Sequence, residues 1–454
     1  MRKYRKIILV QLILAAFLLV GCSGTDKDAK ETDVKTFADW TENELFQDIP
    51  ALLVDGSRIS DTTDVGRGTY IINVQGTSLE DYSSYCGLLE EVGYKKYYDN
   101  GTNGLDGCVY TATYTKEEMV ITVTYIVKTK ITYVTASDEA ELSEHLFYKD
   151  EYVEGNQPNA KTTLHLLELH TYGDSYVIQM KNGHLLIVDG GMEQDARYLL
   201  DYIETLVPEG EKPIIEGWFI THGHSDHIGP FTSLVKDPKD ADRIIVNGIY
   251  FSEPNKIIGG GSTLIQNVEY AALSLKTEDG EKTPVYRPQT GQTYYFNDIT
   301  IDILHTQEQL AKEDYENANF NDSSSWFMFT IDGQKFLDAG DASEGGISVV
   351  KRTYNQEYFD LKMLSVFHHG QNVYDSYVNY FDYDVAIYPT FVIGSQTADW
   401  QTEENEIVQK NAVECISWGD GTKVLTFPYE LGTVKTLTMR EWIYHPGRKT
   451  PVPY

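Results

Sequence analysis

Four residues that can bind metal ions stand within six positions of one another. His222, His224, Asp226 and His227 belong to the segment Thr221-His222-Gly223-His224-Ser225-Asp226-His227, which directly follows an apolar run. Imidazole nitrogens and carboxylate oxygens are suitable ligands for zinc, iron or manganese. Two histidines at i and i+2 on a turn can face one cation, and Asp226 and His227 can then face a second. The pattern therefore indicates a site for two divalent metal ions.

Strands must position this histidine cluster. The apolar run from Ile214 to Ile220 has the pattern of a buried strand and leads straight into the cluster. Earlier in the chain, Gly173-Asp174 and Asn182-Gly183 read as turns between strands, the latter as a hairpin dipeptide. The pattern predicts strands over 165–169, 175–180 and 184–188, followed by a helix over 196–206.

Further motifs give the segment from Thr162 to Phe427 a resemblance to the metallo-β-lactamase superfamily. One apolar run ends in Asp189-Gly190-Gly191, a later one ends in Gly340-Asp341, and a third ends in His368-His369-Gly370. The resemblance implies an α/β fold of four layers, an αββα sandwich, with the metals in loops at one edge of the two packed sheets. It also implies metal-dependent hydrolase activity.

The resemblance assigns roles to these later motifs. Asp189 is expected to support the histidine loop without binding metal, and Asp341 is expected to bridge the two metal ions. The last ligand comes from His368 or His369. Family members commonly place a glycine directly after this ligand, which favours His369 and leaves His368 as a supporting or packed residue.

What completes the first metal site stays open. The run Asn321-Asp322-Ser323-Ser324-Ser325 before a strand, with the later Gly-Asp and His-His-Gly, is similar to the hydrolase domain of late-competence DNA-uptake channel proteins and to Gram-positive surface phosphorylcholine esterases. The Thr-Pro-Gly-His stretch of the general family is missing. By spacing, Asn321 or Asp322 falls near its place, and His305 at a strand end is the other candidate. The first site would otherwise have only His222, His224 and Asp341, so manganese is a candidate metal beside zinc.

The motifs lead to a hypothesis for the mechanism. Two nearby cations lower the pKa of a bridging water toward about 7, so that hydroxide is available as the nucleophile. Asp226 is expected to orient or deprotonate this water. Three sources are open for the proton that the leaving group needs: His305, the non-ligand member of the pair His368 and His369, or water. Tyr250, Trp326 and Tyr374 are candidates to line the pocket, with ordinary packing favoured for Trp326.

The leading functional hypothesis is a hydrolase of phosphoesters, in particular phosphodiesters of the cell envelope or of extracellular nucleotides. Amide, ester or lactam hydrolysis is a second possibility. A third is a non-catalytic lipoprotein that binds a ligand and keeps a vestigial metal loop. The histidines outside the motifs are treated as structural; they are residues 145, 165, 170, 184 and 445.

The amino terminus has the pattern of a lipoprotein signal. Basic residues stand within Met1–Lys6, an apolar stretch covers Ile7–Val20, and Leu19-Val20-Gly21-Cys22 reads as a lipobox. We expect a signal peptide over 1–21, lipidation of Cys22, and a polar flexible tether over 22–36. This predicts an extracytoplasmic protein held to the bacterial cell membrane by lipid. An uncleaved membrane anchor is the alternative.

The charge of the chain disfavours nucleic acid as a stable partner. The formal net charge is −32, and removal of the four basic residues of the leader makes it −36. Such a surface repels phosphate backbones, so no stable nucleic-acid binding is expected. Bound divalent metals dominate the field inside a site, so a small or envelope phosphoester remains a suitable substrate. The oligomeric state is open.

A smaller domain precedes the hydrolase domain. Residues 37–155 predict an accessory α/β domain of order β-α-β-β-β-α, and residues 156–454 the hydrolase domain, with the boundary near Asn156-Gln157-Pro158-Asn159. Within the small domain, Ser78 is predicted to cap a helix that ends at Gly93, and Ser137 to open a short helix. Cys86 and Cys108 either form a disulfide or stay free, because a disulfide depends on the distance and direction between the two side chains.

Overall fold

The computed structural model describes residues 40–66, 68–138, 140–148, 161–170, 172–252, 264–310, 321–371, 373–374, 377–390 and 403–437. The predicted signal peptide, the tether, Cys22, the domain boundary and His445 lie outside these residues. The described residues from Trp40 to Leu437 belong to one compact unit. Within the described ranges, no helix combines the length and the apolar character needed to cross a membrane.

Two sheets pack face to face and form the sandwich. One has the order β13-β12-β10-β9-β8-β7-β21-β22 with β11 beside β10, and the other has the order β14-β15-β16-β17-β18-β19-β20. Strands of the first sheet are β7 (Thr163–Leu166), β8 (Ser175–Gln179), β9 (Leu185–Asp189), β10 (Ile214–Ile220), β11 (Ile245–Val246), β12 (Ile249–Phe251), β13 (Val285–Tyr286), β21 (Thr422–Thr426) and β22 (Lys435–Leu437). Strands of the second are β14 (Thr293–Phe296), β15 (Ile299–His305), β16 (Trp326–Ile331), β17 (Gln334–Asp338), β18 (Asp360–Ser365), β19 (Asp382–Tyr388) and β20 (Glu414–Ser417).

Side-chain alternation explains why both faces of the central strands are buried. Successive residues of a strand point to opposite faces, and in β10 Trp218 packs on Phe231 of the helix layer with ring centroids 4.6 Å apart. Its neighbour Phe219 points the other way and packs on Phe327 of β16 at 5.3 Å, across the sandwich. Apolar residues on both faces therefore give the nearly unbroken apolar run seen in the sequence.

Helices cover the outer faces of the two sheets. Helices α2 (Ala196–Ile203), α3 (Gly229–Lys236) and α4 (Gln266–Ala272) pack with the first sheet, and α5 (Glu344–Thr353) and α6 (Glu403–Asn411) with the second. Buried apolar side chains of α5, such as Ile347 and Val350, share a core cluster with Met328 and Leu337 of the second sheet. The predicted α/β sandwich of helix, sheet, sheet and helix is confirmed.

The region before the sandwich forms an antiparallel sheet with its own apolar core. Its order is β1-β2-β6-β5-β4-β3, and helix α1 (Leu79–Glu91) packs on it. Ser78 caps this helix as predicted, because its Oγ accepts from the Asp81 nitrogen while Asp81 accepts from the Ser78 nitrogen. The strands are β1 (Arg58–Gly66), β2 (Thr69–Gln75), β3 (Lys95–Asp99), β4 (Val109–Lys116), β5 (Met119–Ile126) and β6 (Ile131–Ser137).

Two expectations for this region differ from the structure, and one alternative that the sequence left open is decided. Strands β1 and β3 are additional, and both lie at edges of the sheet, where polar sequences such as Arg58–Gly66 are tolerated. The short helix predicted from Ser137 is wrong: Ser137 ends β6, and a 3-10 turn forms later at Glu144–Leu146, where the Ser143 hydroxyl caps it. Cys86 and Cys108 are both free thiols.

The small sheet is joined to the sandwich by specific polar contacts. The Thr111 hydroxyl donates to the Thr290 carbonyl at 2.9 Å, and the Asn100 side-chain amide donates to the Gly291 carbonyl at 3.1 Å. The Tyr98 hydroxyl accepts from the Thr293 nitrogen at 2.9 Å. These bonds hold β3, β4 and the residue after β3 against the turn that leads into β14.

Candidate metal centre

The candidate site is built where strands of both sheets end. Strand β9 ends at Asp189, β10 ends one residue before Thr221, and β17 ends three residues before Asp341. The Thr221 carbonyl accepts from the Ser325 nitrogen at 2.8 Å, which ties the histidine loop to the segment before β16. The edges of the two sheets therefore deliver the predicted residues to one place.

Asp189 organises the histidine loop. Its Oδ1 accepts from the Thr221 nitrogen at 2.8 Å, and its Oδ2 accepts from the Thr221 hydroxyl at 2.6 Å. The same Oδ2 lies 2.8 Å from His227 Nδ1. The backbone of Asp189 has φ of 53°, a left-handed conformation that is uncommon for a residue with a side chain. Its position matches the supporting role that the sequence resemblance implied.

One buried group contains Asp226, His227, Asp341 and His369, with one ligand atom from each within 4.8 Å of the others. His227 Nε2 lies 3.1 Å from Asp341 Oδ1, and His369 Nε2 lies 3.2 Å from the same oxygen. His369 Nε2 is also 3.2 Å from Asp226 Oδ2, whereas His227 Nε2 is 3.8 Å from it.

These separations fit a divalent cation. Metal–nitrogen and metal–oxygen bonds of about 2.0 Å place tetrahedral ligand atoms about 3.3 Å apart. His227 Nε2 and Asp341 Oδ1 are buried, and neither finds a hydrogen-bond partner among the residues that the structure describes. Buried polar atoms without partners are costly, so a cation that both atoms ligate would satisfy them.

A second group contains His222, His224 and Asp341. His222 Nε2 lies 3.6 Å from Asp341 Oδ2 and 3.0 Å from His224 Nδ1. Because Asp341 faces the first group through Oδ1 and this group through Oδ2, one carboxylate connects both. Three ligand atoms leave this group one short of a four-coordinate site.

The protonation of the site follows from burial and charge. Burial lowers the pKa of His222, His224 and His368, which keeps these imidazoles neutral. Burial also opposes a charge on His369, but Asp341, Asp174 and Asp226 outweigh it and raise its pKa to about 10. The carboxylates thus create a field that favours positive charge in the group that contains His227 and His369.

Burial and neighbouring charges also oppose each other at the carboxylates of Asp341 and Asp226. Burial opposes their charged forms, yet His369 and His227 hold the pKa of Asp341 well below its usual range. The pKa of Asp226 is lowered as well, against its burial, by His227 and His369. Both carboxylates are therefore ionised and able to ligate a cation.

The pair His368-His369 divides between two roles. Both have left-handed backbone conformations, with φ of 53° and 57°, and the turn directs only His369 into a metal group. His368 Nε2 lies 3.6 Å from Asp341 Oδ2, and 19% of its side chain is exposed. His368 is therefore positioned between the centre and solvent.

The residues considered as a further ligand for the group of His222, His224 and Asp341 lie elsewhere. His305 is fully buried; its Nδ1 contacts Gln309 Oε1 at 3.0 Å and its Nε2 contacts the Asp322 carbonyl at 3.4 Å. Asp322 Oδ1 accepts from the Gly345 nitrogen at 2.9 Å and from the Ser343 hydroxyl, so it caps α5. Asn321 is buried and belongs to neither metal group. The structure thus does not bring these three residues into the groups.

The aromatic candidates divide in the same way. Tyr250 is buried in the core, stacked on Phe219 with ring centroids 4.5 Å apart, and Trp326 packs on Phe367 at 4.9 Å, so neither lines a pocket. Tyr374 is half-buried, and its pKa is raised by burial and by Asp322 and Glu344. Tyr172, which the sequence analysis did not single out, is 38% exposed and has its ring 5.7 Å from that of His369.

The histidines treated as structural have partners of their own. His165 lies 2.7 Å from the Tyr202 hydroxyl and 2.7 Å from the Thr163 hydroxyl, and burial lowers its pKa to about 4. His145 stacks on Phe296 with ring centroids 4.0 Å apart. His184 pairs with Glu216 at 2.5 Å. Each of these three histidines therefore has a packing or hydrogen-bonding contact outside the two metal groups.

One acidic residue of the site was missed. Asp174 is 1% exposed and lies 3.5 Å from His369 Nδ1. In the sequence, Gly173-Asp174 indicates only a turn between strands. The signal that could have found it is the hairpin at Asn182-Gly183, which fixes the register of β8 on β9 and pairs Ser175 with Asp189.

One known protein family matches the part of the chain that contains this site. Residues 170–372 match the family described as Metallo-beta-lactamase superfamily, and no curated protein matches the chain. Among solved structures, the chain is similar to Zn(2+)-bound PqqB from Methylobacterium extorquens at 9% identity, with a TM-score of 0.27, over 42% of this chain and 58% of that one. It is also similar to a metallo beta lactamase from Hirschia baltica at 11% identity, with a TM-score of 0.20, over 62% of this chain and 70% of that one.

Every member of the two metal groups lies inside the matched residues. The match to the metallo-beta-lactamase superfamily therefore covers the part of the chain that carries the candidate site.

Proposed function

We propose that this protein is a two-metal hydrolase of phosphoesters, with phosphodiesters as the preferred class. The observation that carries the proposal is the position of Asp341, whose Oδ1 faces His227 and His369 while its Oδ2 faces His222. A carboxylate shared by two groups of buried imidazoles is suited to hold a pair of divalent cations. Zinc and manganese both suit these ligands.

Asp226 and His368 would have separate roles in the reaction, beside the bound cations. Two bound cations would supply Lewis-acid stabilisation of the developing charge and an activated water. Asp226, with 11% of its side chain exposed, reaches both its own group and solvent, and would orient the attacking water and accept its proton. His368 is neutral and partly exposed, so its imidazole N–H would donate a hydrogen bond to the leaving oxygen, and water would supply the proton.

Two features support a phosphoester over a neutral substrate. The sequence similarity of the Gly-Asp and His-His-Gly motifs to phosphoesterase-type relatives favours it. Two adjacent cations also offset the repulsion that a net charge of −32 would impose on an anionic substrate.

The test combines metal content with turnover. The chain starting after Cys22 is loaded with zinc or manganese and assayed on bis-p-nitrophenyl phosphate, beside the variants His224→Ala and His184→Gln. His184 precedes β9 and lies at the opposite end of that strand from Asp189, roughly 16 Å away by strand rise, so H184Q is the matched control. We expect two metals per chain, with turnover lost in H224A and kept in H184Q.

Other outcomes would redirect the assignment. Two bound metals without phosphodiester turnover would contradict the phosphoester proposal and point to amide, ester or lactam substrates. Failure of the wild-type chain to bind metal would contradict the two-metal hydrolase itself.

We further propose that Cys22 carries a lipid that holds the protein on the outer side of the cell membrane. The proposal depends on the Met1–Cys22 sequence, with its basic start, apolar stretch and lipobox. The full chain and Cys22→Ser are expressed in a bacterial host and fractionated. Wild type is expected in the membrane fraction, and C22S is expected to lose lipid labelling; equal labelling of both would contradict the proposal.

A further inference from the structure

We infer that Asp174 is a positioning residue for the metal group that contains His369, holding that imidazole with its Nε2 directed at the cation. The inference rests on the proposed function, because it assigns a task to Asp174 only if the group binds metal. It goes further because Asp174 lies outside the histidine motifs and outside the Gly340-Asp341 motif.

The backbone fixes Asp174 beneath the site. Asp174 directly precedes β8, beside the end of β9, because Ser175 pairs with Asp189. The Asp174 carbonyl accepts from the Gly191 nitrogen at 2.8 Å. The preceding Gly173 has φ of +147°, and a Cβ there would lie 2.7 Å from the Asp226 carbonyl oxygen. Close contact with the Asp226 backbone thus holds Asp174 against the metal groups.

The side chain of Asp174 forms no hydrogen bond elsewhere in the described structure. It is 1% exposed, and neither of its oxygens has a hydrogen-bond partner among the described residues. A buried carboxylate without partners is costly to keep in a folded protein. The nearest imidazole nitrogen is His369 Nδ1, 3.5 Å from Asp174 Oδ1.

The two nitrogens of His369 have different surroundings. Nε2 faces Asp226 Oδ2 and Asp341 Oδ1, both at 3.2 Å, while Nδ1 faces Asp174. A neutral imidazole carries one N–H. If Nδ1 carries it and donates to Asp174, the lone pair of Nε2 is left free for a cation. A carboxylate behind a ligating histidine fixes the tautomer and raises the basicity of the ligand.

The neighbouring imidazole shows the same arrangement. His227 Nδ1 lies 2.8 Å from Asp189 Oδ2, and its Nε2 faces Asp341. Asp174 Oδ2 is 4.0 Å from His227 Nδ1, too far to compete with Asp189. Each imidazole of the group therefore has its own carboxylate, Asp189 for His227 and Asp174 for His369.

This pairing makes a site-specific prediction. Loss of the carboxylate behind a ligating histidine weakens metal binding by about 10- to 100-fold. Asp174 lies behind His369 and has no contact with His222 or His224 among the described interactions. Only one of the two metal-binding steps should therefore weaken when Asp174 is replaced.

The experiment uses the full folded chain, stripped of metal and titrated with Zn²⁺ against a chromophoric chelator. Asp174→Asn removes the charge while keeping the shape. Asp338→Asn is the matched control: Asp338 is also fully buried, and burial with Asp174 and Asp189 nearby raises its pKa well above the usual range, so it already resembles an amide. We expect D174N to weaken one step by about 10- to 100-fold, with the other step and D338N unchanged.

The outcomes separate this inference from the proposed function. No metal in the wild type would overturn the proposed function and the inference with it. Two metals in the wild type with unchanged affinities in D174N would overturn only the inference. Weakening of both steps, or failure of metal-free D174N to fold, would assign Asp174 a general structural role and overturn it as well. A Co²⁺-loaded D174N with an altered ligand-field spectrum would support it.

Discussion

The backbone nitrogen of His368 donates a hydrogen bond to the carbonyl oxygen of Gly340 at 3.0 Å. This bond joins the turn after β18 to the turn after β17, two turns that carry His369 and Asp341 respectively. The distance between these two side chains is therefore set by the backbone, and a cation between them would meet a preformed pair of ligands.

Replacement of Gly340 by alanine should disturb both metal groups. Gly340 has φ of +51°, and a Cβ there would lie 2.6 Å from Thr221 Oγ1. A left-handed residue other than glycine costs roughly 1–2 kcal/mol, and the contact adds to this by moving Thr221 away from Asp189. We expect G340A to lose thermal stability and bound metal together, measured by calorimetry and metal analysis.

The control for this variant separates strain from contact. Gly333 also has a positive φ, +76°, but a Cβ there would meet no atom within 4 Å. Gly333→Ala should carry the backbone cost and keep both metals. Equal metal content in G340A and G333A would show that the Thr221 contact does not organise the centre.

The metal-free protein should lose stability as the pH rises. The pKa of His369 is raised to about 10, above the value of about 6.5 in an unfolded chain. A group with a raised folded pKa contributes its full stabilisation below about pH 6.5, and this is lost as the pH rises through about 10. The melting temperature of the chelator-treated protein should therefore fall across this range.

Two comparisons check that His369 contributes to this slope. His369→Gln cannot gain the proton, so its melting temperature should fall less steeply with pH. Bound metal replaces the proton on the imidazole, so the loaded protein should be flatter and more stable, as mass action requires. A wild-type melting temperature that rises across this range would contradict the charge balance described for the group.

Local pattern was sufficient to predict most of the strands that carry the site. The apolar run Ile214–Ile220 and the hairpin at Asn182-Gly183 are signals between neighbours in sequence, and both elements formed where expected. Edge strands such as β1 were missed because their polar residues do not alternate. Ser137 was assigned to a helix because a cap residue followed by acids resembles a helix start. Pairing of β6 with β2 and β5 instead makes Ser137 the last residue of a strand.

Contacts between residues that are distant in sequence could not be predicted from the local sequence pattern. Spacing placed Asp322 near the metal group of His222 and His224, but its carboxylate caps α5, whose start lies about twenty residues later in the chain. Asp174 was missed for the converse reason. Its partner His369 stands on the other sheet of the sandwich, and only the packing of the two sheets brings them together.

Replacement of His305 should distinguish the two roles considered for it. Both of its ring nitrogens have contacts, with Gln309 and with the Asp322 carbonyl, and burial lowers its pKa. We therefore expect His305→Gln to lower the free energy of unfolding by about 1 kcal/mol while metal content and turnover stay near wild type. Turnover as low as that of H224A, with both metals bound, would instead make His305 the proton donor.

The contact of Gly291 with Thr111 should control how the small sheet is held on the sandwich. Gly291 has φ of +88°, and a Cβ there would lie 2.2 Å from Thr111 Oγ1. That hydroxyl donates to the Thr290 carbonyl at 2.9 Å, so Gly291→Ala would have to separate the two segments. We expect faster amide hydrogen exchange in β4 and in the Thr290–Thr293 turn of G291A, with unchanged metal content.

Gly280→Ala is the matched control, because Gly280 has φ of +80° and open space around the missing Cβ. Faster exchange in β4 for G280A as well would mean that strain alone, anywhere in the sandwich, loosens the sheet. If exchange rises only in G291A and turnover on small phosphodiesters is retained, the small sheet is a separable partner of the catalytic domain, as the predicted division near residue 155 requires. Loss of metal in G291A would mean instead that docking of β4 helps to build the centre itself.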